Sequence, residues 1–318
     1  MPWRCATLDK RRAGWHFDGV IQVKLDQLRA LLRSYGSCVV AYSGGVDSVF
    51  LACVAREVLG ERAIAAIADS ASLPRRELAE ALEIAAKFNL PVRVLRTNEF
   101  NNPDYLANPA NRCYFCKHEL FEELEPLARA EGFAVIAYGE NASDVGDFRP
   151  GAQAAAEFQV RAPLKEAGLT KAEIRELSAQ LGLPTADKPQ MACLSSRVPH
   201  GEAVTPEKLR LIEAAENVLK DLGFYDVRVR IHELSSKVKV PSSKLENVSP
   251  GGTLNVEPGT WNYRARIEVG VAELPKLRED EVFSAVASAL QQIGFAEVTV
   301  DPQGYRRGNL NPASVAMK

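Results

Sequence analysis

The chain has 318 residues, of which 46% are hydrophobic and 25% charged, and its formal net charge is −2. This length predicts two domains, each able to bury its own core, and the charge balance argues against a nucleic-acid partner, which usually leaves a broad basic surface. No apolar segment has the length of a membrane span and the charged amino terminus lacks the apolar stretch of a secretory signal, so we expect a cytoplasmic protein.

Segments of helical and strand character alternate along the first part of the chain. Leucines at helical spacing predict a helix over residues 21–35, and the apolar residues 38–42 have the length of a buried strand. The same patterns predict further helices at 49–59, 74–88 and 119–130, and strands at 63–68, 92–95 and 135–138. Such alternation is typical of an α/β fold, a parallel sheet with helices on both faces.

The second part of the chain predicts a smaller α+β layer. A capping box at residues 170–173 starts a helix that ends at 181, residues 184–197 are predicted as loop, and Thr205 with Pro206 opens a helix to about 222. We place the boundary before that helix, giving domains at 1–204 and 205–318. Two copies of a helix, Gly-Phe turn and strand (218–229 and 290–300) flank a strand at 264–269, which gives the order αββαβ. Residues 235–262 are predicted to form an exposed excursion, with a possible short strand at 237–240.

A glycine-rich loop joins the first predicted strand to the next helix. Free amide groups and the helix dipole favour an anion there, the glycines allow close approach, and Asp47 is suited to hold Mg²⁺. The absence of a following lysine excludes a Walker loop, and a turn whose glycines serve only geometry is the alternative. The loop resembles that of the pyrophosphate-loop ATPases, which implies ATP cleavage to AMP and pyrophosphate while a carboxyl or carbonyl oxygen is adenylylated. The predicted nucleotide-binding residues are Ser43, Gly44, Gly45, Val46, Asp47 and Ser48.

Of the six cysteines, Cys5 lies near the amino terminus, in a segment predicted to be loose, and the other five divide into two groups by their surroundings. Cys38 and Cys53 lie in apolar runs and are predicted to be small buried side chains. Cys113 and Cys116 form a CxxC just before the predicted helix at 119–130, and Cys193 lies in a polar loop. The second group is therefore the candidate for metal binding or catalysis.

The residues alone leave several roles open for these three cysteines. They suit an iron–sulfur cluster in which three irons bind thiolates and the fourth iron is open to another ligand. A zinc site completed by His118 or His200, a redox pair, and a chance CxxC with surface thiols are the alternatives. Cys193 by itself is also a candidate activated thiolate, because Arg197 would favour its charged form.

Several segments together resemble the LarE family, the ATP-dependent sulfur-insertion enzymes that make the nickel-pincer nucleotide cofactor of lactate racemase. They cover residues 111–117, 147–151, 162–171, 187–197 and 304–311. The resemblance implies that a carboxylate of pyridinium-3,5-biscarboxylic acid mononucleotide is adenylylated and converted to a thiocarboxylate. In one branch of the family the cysteine matching Cys193 gives up its sulfur, and in another three cysteines hold a four-iron cluster. Because all three are present, we expect Cys113, Cys116 and Cys193 to be catalytic cluster ligands.

The resemblance also points to residues for the substrate. Arg228 and Arg230 occupy alternate strand positions and share one face, where they would grip the substrate phosphate, although a solvated strand face is an equal alternative. Arg197 is predicted to bind substrate and Glu216 is a candidate metal-site carboxylate. A homo-oligomer and an external sulfur-donor system are further expectations.

Three other functions stay open at the level of sequence. A tRNA thiolation enzyme would also combine a pyrophosphate loop with a CxxC and a third cysteine, but it would be expected to carry a basic surface. A ligase of the NAD synthetase kind would leave the cysteines incidental. A non-catalytic nucleotide sensor would bind ATP without forming pyrophosphate.

Overall fold

The structure is a computed structural model that describes residues 19–144, 150–190, 192–234 and 262–306. The chain divides into two compact units, one formed from Met1–Tyr105 and Asn111–Met191 and the other from Leu106–Ala110 and Ala192–Lys318. No helix within the described residues is both long enough and apolar enough to cross a membrane.

The N-terminal unit has alternating helices and strands. Its strands are β1 (Cys38–Ala41), β2 (Ala63–Asp69), β3 (Val92–Arg96) and β4 (Val135–Tyr138). The helices are α1 (Gly19–Tyr35), α2 (Val46–Leu59), α3 (Arg75–Lys87), α4 (Pro103–Leu106), α5 (Arg112–Glu131), α6 (Pro150–Glu157), α7 (Pro163–Glu166) and α8 (Lys171–Gln180). The bounds of the strands β1 to β4 and of the helices α1, α2, α3 and α8 agree with those predicted from the sequence to within a few residues.

The four strands described in this unit form a parallel sheet in the order β3-β2-β1-β4. Successive residues of β1 face opposite sides: Cys38 and Val40 pack in a core with α1 and α2, whereas Val39 and Ala41 pack with α5 and α6. The sheet is therefore covered on both faces, which confirms the α/β prediction. Because β1 lies between β2 and β4, the winding reverses at its carboxyl end, the usual position of a ligand site in such sheets.

Helix α5 corrects one prediction. It begins at Arg112, so Cys113 and Cys116 lie within its first turns and not before the helix. Asn111 at the N-cap position makes no side-chain capping hydrogen bond, so the usual start signal is missing. By contrast, the capping box at α8 is present, since Thr170 and Glu173 each accept a hydrogen bond from the backbone of the other.

The C-terminal unit is an α+β layer. Helix α9 (Pro206–Asp221) precedes strands β5 (Val227–Glu233) and β6 (Tyr263–Val269), which are followed by the short α10 (Leu274–Leu277), by α11 (Asp280–Ile293) and by β7 (Glu297–Val300). In the described residues β5 and β6 pair antiparallel, and β6 and β7 pair parallel. The predicted order αββαβ is therefore present, with α10 added.

Two predictions about domain organisation stay predictions. Residues 192–204 are grouped with the C-terminal unit, and the domain boundary between residues 204 and 205 stays a prediction. The possible strand at 237–240, most of the predicted excursion, and parts of the family segments (147–149, 191 and 307–311) lie outside the described residues.

Candidate functional site

The loop between β1 and α2 is closed by its two serines. The backbone N–H of Ser43 donates to Oγ of Ser48 at 3.1 Å, and the two hydroxyl oxygens are also 3.1 Å apart. Oγ of Ser48 in turn donates to the carbonyl oxygen of Gly45 at 3.0 Å. These bonds fold the loop over the first turn of α2, where the first amide groups of a helix lack intrahelical acceptors. The loop therefore leads directly into a helix start of the kind that binds anions, and anion binding by these residues stays a prediction.

Gly44 is required by its conformation and by its neighbour. Its φ is +70°, in the left-handed region, and a Cβ atom there would lie 2.7 Å from Cβ of Ala81 in α3. Any other residue would both strain the backbone and collide with α3. Gly45, at the N-cap of α2, has ordinary extended geometry and only Oγ of Ser43 near its missing Cβ, at 3.5 Å.

Asp47 is held by two residues that sequence reasoning did not select. Nζ of Lys171, the first residue of α8, forms an ion pair with Oδ2 of Asp47. Nδ2 of Asn141, just after β4, donates to Oδ1 at 3.4 Å. The capping motif at Thr170 had located Lys171, and the rule that carboxyl ends of parallel strands meet could have selected Asn141. Carboxylate oxygen is a ligand that Mg²⁺ prefers, so the chemistry of Asp47 fits the predicted metal.

Lys188 connects the predicted loop at 184–197 to this site. Its Nζ pairs with Glu77 at 2.7 Å and Glu80 at 2.8 Å, both on α3, and lies 3.5 Å from the carbonyl oxygen of Gly44. Burial lowers the pKa of Lys188, but the two carboxylates outweigh burial and raise it overall. The amine is therefore a fixed positive charge beside the glycine loop.

The cysteines are distributed over both units. Cys113 is exposed and Cys116 partly buried, and their i, i+3 spacing on α5 places their Cβ atoms about 5–6 Å apart. Cys193 directly precedes a short 3-10 turn, Leu194–Arg197, in the C-terminal unit. No three His, Cys, Asp or Glu side chains are grouped as a metal site requires within the described residues. The three-cysteine ligand set stays a prediction.

The cysteines expected in the core behave differently. Cys38 is fully buried, and burial raises the pKa of its thiol to about 12. Cys53 packs against the same core and is partly buried. The thiol of Cys38 therefore lacks the character of a reactive thiolate.

Arg197 is enclosed by the polypeptide itself. Its Nε and Nη2 donate to the two carboxylate oxygens of Glu216 at 2.7 and 3.0 Å. Its Nη1 donates to the carbonyl oxygens of Ala192 and Cys193 at 2.6 and 3.0 Å. Burial lowers the pKa of Arg197, but Glu216 outweighs it and raises it. The guanidinium thus braces the backbone of Cys193 against α9, and its predicted contact with substrate stays a prediction.

Glu216 makes a third contact that limits its availability. Besides Arg197, it accepts a hydrogen bond from the backbone N–H of Val229 in β5 at 3.0 Å. A metal ion at this carboxylate would compete with a bidentate, buried ion pair. The metal-site role of Glu216 stays a prediction.

Arg228 and Arg230 are buried, at 2% and 6% exposure, so the alternative of a solvated strand face is wrong. Arg230 pairs with Glu268 of β6 at 3.0 Å and donates to the carbonyl oxygen of Ser196 at 2.5 Å. Arg228 has a longer contact of 3.4 Å with Asp226. Burial, and then the nearby Arg197, lower the pKa of Arg228.

The chain is similar to several known proteins over much of its length. No family model matches the chain. It is 38% identical over 292 residues to an uncharacterised protein of Synechocystis sp., covering 92% of this chain and 98% of that protein. It is 28% identical to the pyridinium-3,5-bisthiocarboxylic acid mononucleotide synthase of Lactiplantibacillus plantarum, covering 92% of this chain and 95% of that enzyme. A glutamine-hydrolysing GMP synthase of Sulfurimonas denitrificans is 25% identical over 54% of this chain and 36% of its own length. Because the first two matches extend over almost the whole of each protein, the chain belongs to the LarE family, whose distant relatives include the GMP synthases.

Proposed function

We propose that this protein is an ATP-dependent sulfur insertase that converts a carboxylate of pyridinium-3,5-biscarboxylic acid mononucleotide to a thiocarboxylate. The observation that carries the proposal is the serine-closed glycine loop at the switch point of the sheet, with Asp47 in the first turn of α2. The likeness to the Lactiplantibacillus synthase over nearly its full length supports the choice of substrate.

The first step is adenylylation. The amide groups at the start of α2 and the hydroxyls of Ser43 and Ser48 bind the outer phosphates of ATP, and Mg²⁺ bound through Asp47 offsets their charge. A substrate carboxylate oxygen attacks the α-phosphorus, a P–O bond forms, and the bond to the β-phosphate breaks to release pyrophosphate. Lys188, which is held by Glu77 and Glu80 and lies 3.5 Å from the carbonyl oxygen of Gly44, would keep the glycine loop in place during this step.

The second step is transfer of sulfur. A sulfur nucleophile supplied by a donor system attacks the acyl carbon, a C–S bond forms, and the C–O bond to the phosphate breaks to release AMP. Cys113 and Cys116, adjacent on one helical face, and Cys193 would be the ligands of a four-iron cluster, which would supply a terminal sulfur when bound. Arg197 holds the backbone of Cys193, so it fixes where that thiol is presented.

Substrate binding would rest on the arginines of the C-terminal unit. The proposed phosphate contacts are Arg228 and Arg230, whose guanidinium groups suit a phosphate monoester. The working form is proposed to be a homo-oligomer, as the family suggests.

The direct test is an anaerobic assay with ATP, Mg²⁺, sulfide and the biscarboxylic mononucleotide. AMP and pyrophosphate should appear in equal amounts, with the mass change of one oxygen replaced by sulfur. Asp47→Asn should suppress AMP formation, whereas the control Asp26→Asn, on the exposed face of α1, should not. Release of orthophosphate in place of pyrophosphate would contradict the proposal.

The cysteines separate the two steps. A variant with Cys113, Cys116 and Cys193 all replaced by alanine should still release pyrophosphate but form no thiocarboxylate. Anaerobically purified protein should be brown and contain about four irons per chain, whereas a zinc site would be colourless. Thiocarboxylate formation by the triple variant would refute the sulfur-transfer role of these residues.

A further inference from the structure

Tyr305 lies against Arg228 in a way that the proposed function does not use. The guanidinium carbon of Arg228 is 4.6 Å from the centroid of the Tyr305 ring, the geometry of a cation–π contact. Tyr305 belongs to a segment that resembles the LarE family, but no role for it was predicted from the sequence alone. The contact joins the last described residues of the chain to β5.

The backbone places Tyr305 at this position by a tight turn after β7. The N–H of Asp301 donates to the carbonyl oxygen of Ile267, and the N–H of Tyr305 donates to that of Val269, both at 2.8 Å. Gly304 has φ of +68°, and a Cβ atom there would lie 2.8 Å from the carbonyl oxygen of Val269. The turn therefore requires glycine immediately before the tyrosine.

Arg228 has polar contacts of its own besides the ring. Its Nη1 donates to the carbonyl oxygen of Val227 at 2.7 Å and lies 3.4 Å from a carboxylate oxygen of Asp226. The face of an aromatic ring attracts a buried cation and fixes the plane of the guanidinium without consuming its N–H donors.

We propose that Tyr305 is a positioning residue that holds the guanidinium of Arg228 ready for the phosphate of a pyridinium mononucleotide. This inference rests on the proposed function, since it takes the mononucleotide as substrate. Tyr305 itself does not contact the reacting atoms. The ring restricts the rotamers of Arg228 before the substrate binds. Less conformational entropy is therefore lost on binding.

The test compares Tyr305→Leu with Tyr305→Phe in the full-length protein. The leucine variant should raise the KM for the biscarboxylic mononucleotide about tenfold, with kcat and the KM for ATP unchanged, because it removes binding shared by ground and transition states. The phenylalanine variant keeps the ring face and should stay within about twofold of the wild type. Tyr225→Leu, at an exposed tyrosine of the same unit, is the matched control. If the leucine variant does not fold, Tyr305→Met takes its place.

Binding measurements separate failure of this inference from failure of the proposed function. Calorimetric titration with the biscarboxylic mononucleotide and with nicotinic acid mononucleotide should show the same tenfold loss, and Tyr305→Leu should add nothing in an Arg228→Ala background. If the affinity changes as expected but the wild type forms no AMP, the inference stands and the proposed function fails. If AMP forms and all variants share one KM, the inference is overturned. A wild type that binds neither mononucleotide overturns both.

Discussion

Replacing Glu216 by glutamine should destabilise the protein by about 3–5 kcal/mol, the usual cost of leaving a buried charge without its partner. The side chains of Arg197 and Glu216 are only 0% and 2% exposed, so water cannot replace the lost carboxylate. Glutamine keeps the shape of glutamate, but its amide nitrogen would face the guanidinium or the N–H of Val229, both of which are donors. The expected loss of stability therefore reports the missing negative charge and one missing hydrogen-bond acceptor, because glutamine leaves no cavity.

An exposed ion pair in the same unit provides the control. Nε of Arg264 lies 2.6 Å from Glu297, and the side chains are 43% and 49% exposed. Solvent screens such a pair, so Glu297→Gln should cost at most about 1 kcal/mol. The two substitutions are chemically identical and differ mainly in burial.

Urea denaturation of the full-length chain, followed by far-ultraviolet circular dichroism, gives the change in stability. Hydrogen exchange of the β5 amides localises it to the C-terminal unit. Arg197→Met combined with Glu216→Gln should cost less than the sum of the single variants, because neither charge is then left buried alone. Equal midpoint shifts for Glu216→Gln and Glu297→Gln would refute the reasoning, since they would mean that the buried pair is as well solvated as the exposed one.

Two further predictions concern the glycine loop and the β5 face. Gly44→Ala should cost about 2–5 kcal/mol in urea denaturation, from left-handed strain and collision with Ala81, whereas Gly45→Ala should cost less than about 1 kcal/mol; equal losses would contradict the role of geometry. Burial, and then nearby arginines with Arg266 foremost, hold the pKa of His232 below its ordinary 6.5. The folded protein therefore binds fewer protons at this residue than the unfolded chain does. The contribution of His232 to the free energy of unfolding is complete above about pH 6.5 and is lost as the pH falls toward the folded pKa. His232→Gln should flatten the pH dependence of the urea midpoint in that range, and an unchanged slope would contradict the assignment.

The sheet of the N-terminal unit was predictable because its strands are short, apolar and separated by amphipathic helices. In β1 every residue is buried, and its position is read directly from the run at residues 38–42. The glycine loop was equally accessible, since its structure depends on consecutive residues at the start of one helix. Local sequence contains all the information that such features need.

The rest of the site depends on contacts between distant segments. Asp47 meets Lys171, which is 124 residues away in the sequence, and no local pattern indicates that pairing. The start of α5 was missed for a different reason, because the chain begins this helix without a capping side chain. A helix is recognised in a sequence by its apolar periodicity and its capping residues. The first turn of α5, around the CxxC, shows little of either.

The arginines show why residue type and strand position do not determine a role. Alternation placed Arg228 and Arg230 on one face, as the structure has them, but it could not tell which of them would be neutralised. Glu216, from α9, satisfies Arg197, and Glu268, from β6, satisfies Arg230. Arg228 instead donates to the carbonyl oxygen of Val227 at 2.7 Å, lies 3.4 Å from Asp226 and rests on the ring of Tyr305. Each of these guanidinium groups therefore has a different set of partners, and these differences arise only when the chain has folded.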